Sequence, residues 1–131
     1  MKIVCFFDYV DIRGDTKQMD LYRVHYKAET GRDVKIICTE SEIEFELNLS
    51  PNCLAIIDYG AMTFGHGDLM EHYDRFMFNI IEKWTSVNFV YRLTLGTDPY
   101  REDIFLHDNV ETIDCCAGLD AWKQLFDKHW N

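Results

Sequence analysis

Short apolar runs of strand length, with no polar residue inside them, constrain this chain most. Ile3-Val4-Cys5-Phe6-Phe7 and Leu54-Ala55-Ile56-Ile57 are both of this kind. A strand with one wet face alternates polar and apolar residues. An unbroken run must instead be covered on both faces, as in a parallel sheet with helices packed above and below. Each run also stops at an aspartate, Asp8 and Asp58. In open parallel sheets ligands gather outside the carboxyl ends of the strands, so the two acids are candidates for one shared site.

The remaining segments supply the other strands and the helices that such a sheet needs. Residues 2–7 read as the first strand, Val34 to Cys38 as the second and Leu54 to Ile57 as the third. Residues 87–95 make a fourth, carrying Phe89, Val90, Tyr91, Leu93 and Leu95, and Val110 to Ile113 a shorter fifth. Thr16 to Ala28 reads as a helix with Met19, Tyr22 and Tyr26 along one stripe, ended by Thr30-Gly31. Leu69, Met70, Tyr73, Phe76, Met77, Ile80, Ile81 and Trp84 repeat at helical spacing behind Asp68, a capping or first-turn carboxylate. A last helix runs from about Leu119 to Trp130, its apolar face formed by Leu119, Trp122, Leu125, Phe126 and Trp130.

Residues 42–49 carry two signals. Glu42-Ile43-Glu44-Phe45-Glu46-Leu47-Asn48-Leu49 alternates like a half-exposed strand. Yet it lies between two buried strands and behind a Ser41/Glu44 capping-box pattern, which favours a crossover helix. With that helix, strands and helices alternate throughout. The expectation is a single three-layer αβα domain over residues 1–131, with a flavodoxin-like or Rossmann-like sheet of five mainly parallel strands.

The formal net charge of −10 opposes non-specific nucleic-acid binding, which depends on Lys and Arg neutralising phosphate, and opposes an anionic membrane surface as well. No stretch reaches the ~20 apolar residues of a membrane span. The five apolar residues between Met1-Lys2 and Asp8 are too few for the core of a signal peptide. Five cysteines with no C-x-x-C pair suggest neither a disulfide framework nor a zinc knuckle, and the expected location is a reducing cytoplasm.

In the expected layout Asp8 and Asp58 emerge together, with Asp11 and Asp15 in the first loop, Asp98 after the fourth strand and Asp114 after the fifth. Clustered carboxylates repel unless a cation or protonation compensates. Magnesium suits few carboxylates plus water, and Asp8, Asp58, Asp11 and Asp98 are its candidate ligands. Asp8 and Asp58 would then be the catalytic acids for phosphoryl transfer or phosphodiester cleavage. Aspartate is equally a residue of turns and helix caps, so strand ends are where it occurs in any case.

Three weaker features complete the inventory. The glycine-containing loop of residues 59–67 precedes the long helix but matches no phosphate-binding fingerprint. His66, Asp68 and His72 are close in sequence, with solvated histidines and a cap as the simpler reading. Cys115-Cys116 precede the last helix with no identifiable base, and packing explains them more simply than nucleophilic chemistry.

An acid ending strand one, Asp8, an aspartate ending strand three, Asp58, and a threonine near strand four, Thr94, resemble the receiver domains of response regulators. That resemblance implies a phosphoryl-accepting Asp58, with Thr94 contacting the phosphoryl group. The chain departs from it in having Tyr9 where a second acid follows the first, and Asp114-Cys115-Cys116 where receivers place a lysine. Asp8 with Thr97-Asp98 also resembles the PIN and NYN nucleases, although Pro-Tyr-Arg-Glu-Asp after Asp98 departs from their continuation. Both resemblances rest on scattered residues in a common layout, and a shared fold does not fix function.

Two functions stay open. The favoured one is an acidic cytoplasmic module that regulates through a protein partner, with an acidic pocket at the strand edge. No complete catalytic set occurs, and Lys or Arg is sparse near the candidate acids in sequence. The alternative is a Mg²⁺-dependent enzyme of phosphoryl transfer or phosphodiester hydrolysis.

Overall fold

The computed structural model describes residues 1–7, 12–58, 67–93, 107–114 and 116–130. Its elements follow one another as β1 (Lys2–Phe7), α1 (Ile12–Thr30), β2 (Lys35–Thr39), α2 (Glu42–Asn48), β3 (Leu54–Asp58), α3 (Gly67–Lys83), β4 (Asn88–Leu93), β5 (Val110–Asp114) and α4 (Leu119–His129). The strands form one five-stranded sheet in the order β2-β1-β3-β4-β5. Every pairing is parallel. The flavodoxin-like alternative within the expected class is therefore the one observed.

The apolar runs occupy the centre of the sheet, as their composition requires. Side chains alternate between its two faces. Val4, Phe6, Ala55, Ile57, Phe89 and Tyr91 pack beneath α2 and α3 with Phe45, Leu49, Met77, Ile80 and Ile81. Ile3, Cys5, Phe7, Leu54, Ile56 and Val90 pack against α1 and α4 with Met19, Tyr26, Trp122, Leu125 and Phe126. At roughly 25 cal/mol per Å² of apolar surface removed from water, these two clusters are the dominant stabilising term. The edge strands β2 and β5 are only partly covered.

Residues 42–48 are helical, and the packing explains why the pattern there is ambiguous. Ser41 caps α2 by accepting from the Glu44 backbone N–H at 3.2 Å. The Glu44 carboxylate does not close the reciprocal half of the box, and accepts instead from the Thr39 hydroxyl at 3.1 Å. Phe45 is fully buried, whereas Ile43 and Leu47 are 74% and 78% exposed. The alternation therefore mixes one anchoring residue with two apolar residues that face solvent.

α1 begins at Ile12, so Asp15 lies in its first turn and not in the loop before it. Tyr26 reaches from α1 to α4, donating its hydroxyl to Asp127 at 2.7 Å while Arg32 donates to Tyr26 at 3.2 Å. Tyr22 stacks on the buried Trp122 with ring centroids 4.6 Å apart. Trp84 and Trp130 are only partly buried against the core, whereas Trp122 is fully enclosed.

Candidate functional site

The adjacency expected of the first and third strands holds. β1 and β3 are neighbours running in the same direction, with Phe7 beside Asp58. Asp58 is thus the last residue of a central strand at the carboxyl edge, and only 4% exposed. Along β3 it shares the alternating face of Leu54 and Ile56, the face covered by α1 and α4.

Arg92 supplies the charge that balances it. β4 pairs with β3 up to Ile57 beside Tyr91, so Asp58 and Arg92 are each the next residue along. Arg92 Nη1 lies 3.3 Å from Asp58 Oδ2 and 2.9 Å from Asp15 Oδ1. Its Nη2 donates to Gln18 Oε1 at 2.7 Å. The Arg92 and Asp58 side chains are each 6% exposed and that of Asp15 is 14% exposed, so the triad is shielded from water and from salt. Two strands and the first two turns of α1 therefore meet on one guanidinium.

This arrangement corrects the reading that cations are sparse near the acids. Burial works against the Arg92 charge, but Asp58 and Asp15 outweigh it and hold the guanidinium pKa above its ordinary value. Arginine fits the position because its planar fork serves several acceptors at once and it stays charged when buried. Its Nε is buried without a hydrogen-bond partner among the described residues, so the fork is not fully spent.

Of the other candidate residues, Asp8, Asp11, Thr94, Asp98, His66 and Cys115 lie outside the described residues. Asp114 Oδ1 accepts from the Cys116 backbone N–H at 2.7 Å, the turn-closing role that aspartate often plays. His72 stands exposed beside Glu42, with 2.6 Å between Nε2 and Oε1. A groove of about 460 Å³ between α2 and α3 is lined by Glu42, Glu46, His72 and Arg75. It opens on the sheet face opposite the triad.

Of the four candidate cation ligands, only Asp58 lies among the described residues. No group of three or more His, Cys, Asp or Glu side chains converges as a cation site among them. A cation at Asp58 would stand beside a guanidinium that already engages that carboxylate, adding repulsion between positive charges in a poorly screened setting. Arg92 is the residue of this edge that reading along the chain missed. Its signal was a single charged side chain within the apolar strand Phe89-Val90-Tyr91-Arg92-Leu93, since a buried arginine requires acids nearby.

No protein-family model matches the chain, and no curated protein does. Among solved structures, the chain is similar to the crystal structure of a response regulator receiver domain protein (CheY-like) from Methanospirillum hungatei JF-1. The TM-score is 0.56 at 10% sequence identity, over 95% of this chain and 90% of that one. A likeness at that identity concerns the fold, and it agrees with the strand order seen here.

Proposed function

We propose that the protein is a regulatory module of receiver-like architecture that works through protein contacts, with an acidic strand edge that does not carry out phosphoryl transfer. The buried bridge from Arg92 to Asp58 and Asp15 carries this reading. A carboxylate held by a guanidinium is a weaker nucleophile than one presented to a substrate, because attack would cost the ion pair. Turn-closing Asp114, where receivers carry a lysine, supports it further by leaving that place without a cation for a phosphoryl group. A cytoplasmic setting is consistent with free thiols at Cys5, Cys38 and Cys53.

Interaction with another protein is supported by exposed apolar side chains on two helices, Leu21 and Val24 on α1 and Ile43 and Leu47 on α2. No helix among the described residues is long and apolar enough to cross a membrane.

The test is incubation of the intact chain with Mg²⁺ and a small-molecule phosphoryl donor, read by intact mass. The expected result is no mass gain. A phosphoryl adduct on the wild type that disappears in Asp58→Asn would overturn the reading and favour the Mg²⁺-dependent alternative, with Asp8, Asp11 and Asp98 as further ligands and Thr94 on the phosphoryl group.

A further inference from the structure

Cys5 and Cys38 are register partners on neighbouring parallel strands. Both lie on the sheet face covered by α1, Cys5 within that cluster and Cys38 packed against it. Adjacent strands run about 4.8 Å apart. That separation falls inside the Cα range of roughly 4.4–6.8 Å compatible with a disulfide. Among the described residues β2 is an edge strand, hydrogen-bonded to β1 alone.

The two thiols differ in access. Cys5 is fully buried, whereas Cys38 is partly exposed and lines a cavity of about 210 Å³ with Thr16, Asp20, Arg23 and Ile36. Hydrogen bonds from the Cys5 thiol and, more weakly, from Thr16 favour the Cys38 thiolate; against burial and Asp15 they bring its pKa below the ordinary thiol value. Burial, with Cys38 beside it, keeps Cys5 protonated well above that value. In the cavity wall Arg23 is paired with Asp20 at 2.6 Å. A small oxidant entering the cavity therefore meets the Cys38 sulfur first, with the Cys5 thiol buried behind it.

We infer that Cys38 is an oxidation site for small hydroperoxides, with Cys5 as its resolving thiol. The Cys38 thiolate attacks one peroxide oxygen, forming an S–O bond as the O–O bond breaks. The departing alkoxide or hydroxide takes a proton from water, the peroxide is reduced by two electrons and the sulfur is oxidised to sulfenic acid. The Cys5 sulfur then attacks the sulfenic sulfur. An S–S bond forms, the S–O bond breaks, and hydroxide leaves with the Cys5 proton as water. Only Cys38 has to meet the oxidant, so burial of Cys5 is no obstacle.

The experiment treats the folded full-length chain with sub-stoichiometric hydrogen peroxide, followed by peptide mapping without reduction. The wild type is expected to lose two hydrogen atoms and yield a peptide pair linked through Cys5 and Cys38. Cys5→Ser is expected to stop at a Cys38 sulfenic acid, trapped by a dimedone-type reagent. Thr16→Val, whose fold is checked by circular dichroism, is expected to slow the first step severalfold. The inference fails if Cys38 is oxidised no faster than buried Cys53, or if the wild type accumulates trapped sulfenic acid at Cys38 without the linked pair. Linkage through Cys116 in place of Cys5 would also overturn it.

Discussion

Replacing Arg92 by methionine removes the charge while keeping an unbranched apolar stem of comparable reach. The guanidinium contacts Asp15 at 2.9 Å, Asp58 at 3.3 Å and Gln18 at 2.7 Å. Its loss takes the guanidinium away from two carboxylates, 6% and 14% exposed, in a water-poor setting. Removing one partner of a buried pair costs about 3–5 kcal/mol, chiefly through the charge left behind. A domain is stable by only roughly 5–15 kcal/mol, so Arg92→Met is expected to sacrifice a large part of the total. Urea unfolding at neutral pH, followed by circular dichroism, measures the loss directly. Two controls identify the cause. Combining Arg92→Met with Asp58→Asn is expected to recover at least about 1 kcal/mol, because it deletes one of the two buried charges that faced Arg92. A carboxylate buried without a cation prefers its neutral form. The folded variant then binds protons more readily than the unfolded chain, so its deficit against wild type should narrow as pH falls from 7 towards 5. A loss below about 1 kcal/mol, or one indifferent to both Asp58→Asn and pH, would refute the argument.

Tyr26→Phe is expected to cost about 1 kcal/mol by breaking the link between α1 and α4, measured by chemical unfolding. Burial is the chief cause of the raised Tyr26 pKa, and neutral-phenol stability is therefore present below the ordinary tyrosine value and lost as pH rises through the folded one. Ultraviolet titration of the phenol is expected to show that delayed ionisation. Hydrogen bonds from Lys83 and then Trp84 lower the Glu46 pKa, so this small contribution persists above the ordinary glutamate range and fades as pH falls through the folded value. The Trp84 indole N–H resonance should follow that midpoint, and Lys83→Ala should move it upward. Ile43→Glu combined with Leu47→Glu is expected to change stability by no more than about 0.5 kcal/mol, given their exposure, while weakening salt-sensitive capture of a protein partner.

The unbroken runs of β1 and β3 made the centre of the sheet legible, because only strands covered on both faces can dispense with polar residues. Residues 42–48 were harder. Two exposed apolar side chains, Ile43 and Leu47, imitate the period of a strand, and the deciding information was the need to cross from β2 to β3. The shared edge of Asp58 followed from the layout, but its partner did not. Arg92 is 34 positions further on and meets Asp58 only through the β3–β4 pairing. Asp15 was expected in the loop before the first helix, whereas α1 starts at Ile12 and takes Asp15 into its first turn. A charge inside an apolar strand, matched to an acid at the end of a neighbouring one, would have joined the two.

The most direct measurement is thermal melting of wild type, Asp58→Asn and Arg92→Met across millimolar Mg²⁺, since a ligand that binds the folded state raises its melting temperature. If Arg92 already occupies the place a cation would take beside Asp58 and Asp15, the wild type and Asp58→Asn should melt at temperatures that do not depend on Mg²⁺. Arg92→Met, with the guanidinium gone from beside Asp58 and Asp15, should gain stability as the metal is added. A Mg²⁺-dependent rise in the wild type that vanishes in Asp58→Asn would contradict this, and would make the edge a metal site in its own right.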